Sequence, residues 1–199
     1  MYPNSIKKLI DVFKYLPGIG EKSAERMVFS IINFDKDKIE DFANSLLDVK
    51  NSIKKCSICN NLSDKEVCDI CSSVSRSNDI IVVVERPKDV FLFEKLGIFN
   101  GKYHVLDGLI SPINGINPED INIVSLLNRI DNEAINEIIL ALKPNVEGET
   151  TMQYINKLLE KKDVKVSRIA TGVPIGTDME YIDSLTLEMA IDERKNLND

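Results

Sequence analysis

All four cysteines of this 199-residue chain fall between positions 56 and 71, as Cys56-Ser-Ile-Cys59 and Cys68-Asp-Ile-Cys71 with eight residues between the pairs. Each pair makes a tight knuckle that presents two thiolates. Eight intervening residues are enough to reverse the chain and set one pair opposite the other. Four soft sulfur ligands suit a single tetrahedral ion with no open coordination position, so one structural Zn2+ per chain is the expected cofactor. Two alternatives stand beside it. A redox pair would use one C-x-x-C next to a βαβ pattern, and two disulfides would need an oxidising compartment. Zinc is favoured because one site accounts for every cysteine. Such a site is expected to pin the segments before and after it in a fixed relation.

The length allows two or three small domains. Met1-Tyr2-Pro3-Asn4 leads into a lysine-bearing amphipathic segment, not the apolar run of a signal peptide, and no stretch is long enough to span a bilayer. A cytoplasmic location, with no membrane partner, is therefore expected. The net charge is −7, unevenly spread: residues 1–78 carry 12 Lys/Arg against 11 Asp/Glu, and residues 79–199 carry 13 against 21. A broad basic footprint for nucleic acid is excluded. Any such surface is local, and the first 78 residues are the place for it.

Ile6, Leu9, Ile10 and Phe13 recur at helical spacing after Pro3, which predicts a helix over 3–15. Leu16-Pro17-Gly18-Ile19-Gly20 stops it, with two glycines for a tight turn. A second helix is predicted over 21–32, with Ala24, Met27, Val28 and Ile31 inward. A third is predicted over 36–53, with Ile39, Phe42, Leu46 and Leu47 inward. The turn resembles the helix-hairpin-helix motif, in which the glycine backbone approaches a DNA phosphate and the N–H groups opening the second helix donate to it. Lys22 and Arg26 share one face of that helix, four residues apart, and such contacts bind without reading sequence. The plainer reading is an αα-hairpin with a glycine turn and a solvated basic pair.

Beyond the cysteines, Asp79-Ile80-Ile81-Val82-Val83-Val84 is the continuous β-branched run of a buried parallel strand. A helix from Pro87, a strand at 103–106, a loop at 108–118 and a helix at 123–130 follow. Then come a strand at 137–142, a helix at 151–161 and a strand at 164–170. This alternation predicts a parallel α/β domain. A turn-rich passage around Gly172 and Gly176 leads to a last helix over 184–194 and a polar tail.

Helical hairpin, four-cysteine knuckle and a small α/β domain opening with Val-Val-Val-Glu stand in one order. Together with Leu16–Arg26, Val84-Glu85-Arg86-Pro87-Lys88-Asp89-Val90, Tyr103-His104-Val105-Leu106, Leu109–Gly115, Val146-Glu147-Gly148-Glu149-Thr150-Thr151 and Gly172-Val173-Pro174-Ile175-Gly176, that order resembles the RecR family of bacterial recombination mediators. The resemblance covers nearly the whole chain. It implies a helix-hairpin-helix domain at 1–54, a zinc finger at 55–77, a Toprim domain at 78–171 and a C-terminal segment at 172–199. It implies a ring-shaped homo-oligomer, typically a tetramer, that clamps DNA. Its partners would be RecO and, in some bacteria, RecF, in loading RecA onto DNA coated by single-strand-binding protein. Carried over residue by residue, Gly18, Gly20, Lys22 and Arg26 become DNA contacts, and Glu85 and Asp89 become contacts for RecO. Without the resemblance, Glu85 is a solvated strand-end acid and Asp89 a first-turn helix acid.

A catalytic Toprim site resembles a glutamate after the first strand plus an Asp-x-Asp pair after the third, which together hold Mg2+. Glu85 is in place here, but Lys143-Pro144-Asn145 follows the third strand. Glu147, Glu149 and Asp178 remain as weak metal ligands, so the alternative function is a Toprim-type Mg-dependent nuclease. No nucleophile is evident: neither Tyr154 nor Tyr181 is singled out. The one histidine, His104, lies on an apolar strand, and no P-loop is present. The expected protein is a non-enzymatic DNA clamp and adaptor. A zinc-pinned scaffold without DNA affinity is the third reading.

Overall fold

The structure is a computed structural model that describes residues 2–170, 172–194 and 196. It divides into two compact units, one ending at Ile53 and the other starting at Lys54.

The first unit is three helices: α1 (Asn4–Phe13), α2 (Glu21–Ile32) and α3 (Lys36–Ser52). Pro3 sits at the N-cap of α1, where a missing N–H costs nothing, and its carbonyl accepts from Lys7 N–H at 3.1 Å. Ile10, Ala24 and Val28 are buried between α1 and α2, with Ile6, Leu9, Phe13 and Ile19 packed around them. The Asp35 carboxylate caps α3 by accepting from Lys38 N–H at 2.8 Å.

One expectation for α3 needs correction. Phe42, Leu46 and Leu47 do not point into a core: they are 44%, 61% and 59% exposed, and α3 buries no residue. The physical reason is that the small cluster closes between α1 and α2 alone. An amphipathic stripe shows that a helix has an apolar face, but not which chain covers it.

The second unit opens with a short antiparallel hairpin, β1 (Lys54–Lys55) and β2 (Leu62–Ser63), and one helical turn, α4 (Asp69–Ser72). There follow β3 (Ile80–Val84), α5 (Pro87–Leu96), β4 (Lys102–Val105), α6 (Ile123–Asn132), β5 (Glu137–Ala141), α7 (Val146–Leu159), β6 (Lys165–Arg168) and α8 (Ser184–Asp192). The four long strands pair in parallel, in the order β4-β3-β5-β6. Helices cover both faces, which is why β3 has no polar face: Ile81 and Val83 enter one core and Val82 and Val84 the other. The first core is filled by residues of α6 and α7, such as Leu126, Ile155 and Leu159. The second is filled by Val90 and Phe93 of α5 with Tyr103 and Val105 of β4.

The passage expected as a loop at 108–118 holds a 3-10 turn at Pro112–Asn114, and a second follows at Pro118–Asp120. The helix expected from 151 begins at Val146, because Asn145 caps it by accepting from Gly148 N–H at 2.9 Å. The stretch Glu147-Gly148-Glu149-Thr150, without an apolar side chain, hides that start from a hydrophobic-period reading. The polar tail at 195 and 197–199, and Thr171 at the expected domain edge, lie outside the described residues.

Candidate metal centre and nucleic-acid interface

The sulfur atoms of Cys56, Cys59, Cys68 and Cys71 lie within 4.8 Å of one another, and all four residues are buried. The Cys59 and Cys68 sulfurs are 3.6 Å apart. A tetrahedron with Zn–S bonds of about 2.3 Å has S–S edges of about 3.8 Å, so the donor set fits zinc. Backbone N–H groups complete it: Cys68 N–H points to Cys56 Sγ at 3.3 Å and Cys71 N–H to Cys68 Sγ at 3.4 Å. Both favour thiolate. The hydrogen bond with Cys68 and burial push the Cys59 thiol up, and the same bond pulls Cys68 down.

Local turns fold the knuckle. Cys56 N–H donates to Asn61 O at 2.7 Å, Asn60 N–H to Cys56 O at 3.0 Å, and Asn60 takes a left-handed φ of 61°. Ser57 N–H donates to Glu66 O at 2.8 Å and so ties the first pair to the approach of the second. The knuckle is joined to the sheet as well. Ile70, between the last two cysteines, packs against both the cysteine cluster and the core under α5.

The glycine turn of the first unit joins α1 to α2. Gly18 has φ +79°, a conformation that favours glycine, and Ile19 N–H closes the turn on Leu16 O at 3.1 Å. Gly20 differs. Its φ and ψ, −90° and 176°, suit any residue, and an added Cβ would meet nothing within 4 Å. Gly20 is the N-cap of α2, no side chain caps that helix, and the first-turn residues Glu21 and Lys22 are exposed. Lys14 neutralises Glu21 at 2.7 Å, and the negative charge of Glu25 beside Tyr2 raises the phenol pKa. Lys22 and Arg26 are exposed and, among the described residues, have no ion-pair partner. The turn thus presents open backbone donors beside two uncompensated cations.

Glu85 follows β3 and its side chain is only 7% exposed. It is not the solvated acid of the plain reading. Arg86 Nε lies 3.0 Å from Oε1 and Lys143 Nζ 3.3 Å from Oε2. Asp107, left-handed at φ 65°, donates its N–H to Glu85 O at 2.8 Å and pairs through its carboxylate with Lys55 at 2.5 Å. Asp89 is partly exposed and caps α5, with Oδ2 accepting from Arg86 N–H at 2.9 Å. Glu149 is paired with Arg168 at 3.0 Å. Among the described residues, the four cysteines are the only cluster of three or more His, Cys, Asp or Glu able to hold a metal ion, so Glu85, Glu147, Glu149 and Asp178 do not converge. His104 is fully buried, with Nε2 at 2.9 Å from Asn122 O, and burial pushes its pKa down to about 4.

Sequence reading missed the two cations on Glu85. It also missed a clamp in which Arg76 holds Glu94 and the Gly101 carbonyl while the Tyr103 hydroxyl donates to Glu94 at 2.8 Å. No local signal marks the Lys143 contact or the clamp, because each joins segments distant in sequence, whereas Arg86 is the chain neighbour of Glu85.

Comparison with known proteins covers the same ground from end to end. The RecR helix-hairpin-helix family matches residues 6–50, the RecR four-cysteine zinc finger domain 53–73, the Toprim domain 79–170, and the RecR C-terminal family 172–195. A curated relative named Recombination protein RecR from Chloroherpeton thalassium is 48% identical over 200 residues, 98% of each chain. Another of that name, from Clostridium perfringens, is 49% identical over 193 residues, 97% of each.

Proposed function

Because this chain belongs to the RecR family of recombination proteins, we propose that it is a non-enzymatic DNA clamp of recombinational repair. It acts in the cytoplasm with RecO, and with RecF where present, to load RecA onto DNA coated by single-strand-binding protein. The observation that carries the DNA part is the uncapped start of α2 beside Lys22 and Arg26. Helix N–H donors and partial positive charge receive one phosphate, and the two side chains take its neighbours. The open space at Gly20 lets the backbone come close to the strand.

A single such patch on a chain of net charge −7 binds weakly. The exposed apolar stripe of α3, with Phe42, Leu46 and Leu47, supports assembly, since another copy can cover it. A tetrameric ring turns several copies of the patch onto one duplex, and linked contacts combine through effective concentration. Glu85 and Asp89 then serve RecO at the carboxyl end of β3. Asp89, partly exposed in the first turn of α5, supports this reading as the acid a basic group of a partner can reach.

The test is DNA binding by the full-length, zinc-loaded protein with Lys22 and Arg26 both changed to Ala. Affinity should fall about tenfold or more and the salt dependence should flatten, at unchanged zinc content and oligomer mass. Parent-like binding at moderate salt would move the DNA surface elsewhere on the molecule.

A further inference from the structure

The carboxyl end of the sheet carries a cation arrangement that neither zinc binding nor DNA binding uses. The chain order changes direction between β3 and β5, and the crevice beyond the ends of these two strands is where open α/β sheets bind ligands. Val84 pairs with Ala141 across the two strands. Glu85, one residue past the first, therefore lies beside the segment of Lys143, two residues past the second. In a catalytic Toprim domain the matching acids hold a divalent cation here. The residues of this chain do not fit that ion. Among the described residues Glu85 belongs to no cluster of three or more metal-ligating side chains, and both its oxygens are engaged, one by Arg86 Nε at 3.0 Å and the other by Lys143 Nζ at 3.3 Å.

The backbone holds Lys143 in place. Asn145 N–H donates to Lys143 O at 2.9 Å, and α7 turns back so closely that a Cβ on Gly148 would collide with that oxygen. Pro144 restricts Lys143 to extended backbone, which continues the line of β5. The ammonium is thus delivered to Glu85 by the same turn that starts α7.

We propose that Lys143 is a tethered counter-ion that stands in for a divalent cation at this strand end, with Arg86 as its second. Two unit positive charges on one carboxylate leave no negative charge to attract Mg2+. An incoming ion would have to displace both, and would gain one buried oxygen in return for part of its water shell. The consequence is a Toprim edge that takes side-chain cations and excludes metal.

The experiment is Mn2+ titration of full-length, zinc-loaded protein, followed by electron paramagnetic resonance. The parent should show no saturable Mn2+ binding tighter than about 1 mM. Lys143→Asp should gain a saturable site about tenfold tighter than the parent, and adding Glu85→Gln should remove it again. Saturable binding by the parent that Glu85→Gln abolishes would overturn the proposal, as would a Lys143→Asp protein that binds Mn2+ no better than the parent. Zinc content and thermal melting report folding. If the Asp variant does not fold, Lys143→Gln carries the same expectation, with a gain of about threefold, and unchanged binding by that variant overturns it.

Discussion

The backbone N–H of Val105 donates to the carbonyl of Cys59 at 2.8 Å. The last residue of β4 is thereby bonded to the first cysteine knuckle. The metal site is part of the folded α/β unit and not a bead on the linker before it.

Metal removal should therefore unfold more than the knuckle. One zinc per chain is expected in purified, reduced protein. Its removal, or Cys59→Ser, should cost at least about 4 kcal/mol and lower the melting temperature by about 10 °C or more. Melting followed by circular dichroism, with zinc measured in parallel, checks this. An unchanged melting temperature after complete zinc loss would show that the sheet stands without the knuckle.

Gly20 separates turn geometry from DNA contact. Its backbone angles suit alanine and a Cβ there meets open space. Gly20→Ala should leave stability within about 0.5 kcal/mol of the parent or slightly raise it. On the proposed contact DNA affinity should fall several-fold, because the methyl group would stand in the path of the phosphate. Equal DNA affinity would mean that the backbone at this turn does not contact DNA.

Gly148 is the opposite case. Its added Cβ would collide with the Lys143 carbonyl oxygen, and backbone cannot yield as a side-chain end can. Gly148→Ala should destabilise the protein by about 2 kcal/mol or more, read as a shifted urea midpoint with unchanged slope.

The exposed stripe of α3 fixes where assembly should fail. Leu46→Lys with Leu47→Lys should reduce the solution mass by light scattering while keeping zinc and helix content. Both side chains are more than half exposed in the single chain, so charge there costs the protomer little. A chain ending before Gly172 should also lose mass, since the exposed Leu185 and Ile191 of α8 offer a second apolar surface for another copy. A parent-like mass in either variant counts against that surface.

His104 gives a pH prediction with a definite sign. It is the only histidine, and burial holds its folded-state pKa at about 4 against 6.5 for the free side chain. The unfolded chain takes up this proton first as pH falls. Stability is therefore complete above about pH 6.5 and declines toward pH 4, by about 3 kcal/mol in total. His104→Gln should flatten that slope in urea melts made where zinc stays bound.

What the sequence determined by itself was local. Two C-x-x-C pairs declare a metal knuckle, because ligand spacing is a property of a few adjacent residues. Leu16–Gly20 declares the hairpin for the same reason, and Gly18 does take the left-handed angle such a turn needs. The β-branched run at 80–84 declares a strand buried on both faces, since no alternation is needed where both faces are covered. The tertiary structure decided what depends on register and on competition for burial. Lys143 reaches Glu85 only because β3 and β5 pair in parallel with Val84 beside Ala141, and no local pattern sets that pairing. Whether the stripe of α3 is core or surface depends on whether α1 and α2 leave apolar area to cover, and they close on each other. Spacing along a chain is written in the chain, but contacts between distant segments are settled by the packing of all of them at once.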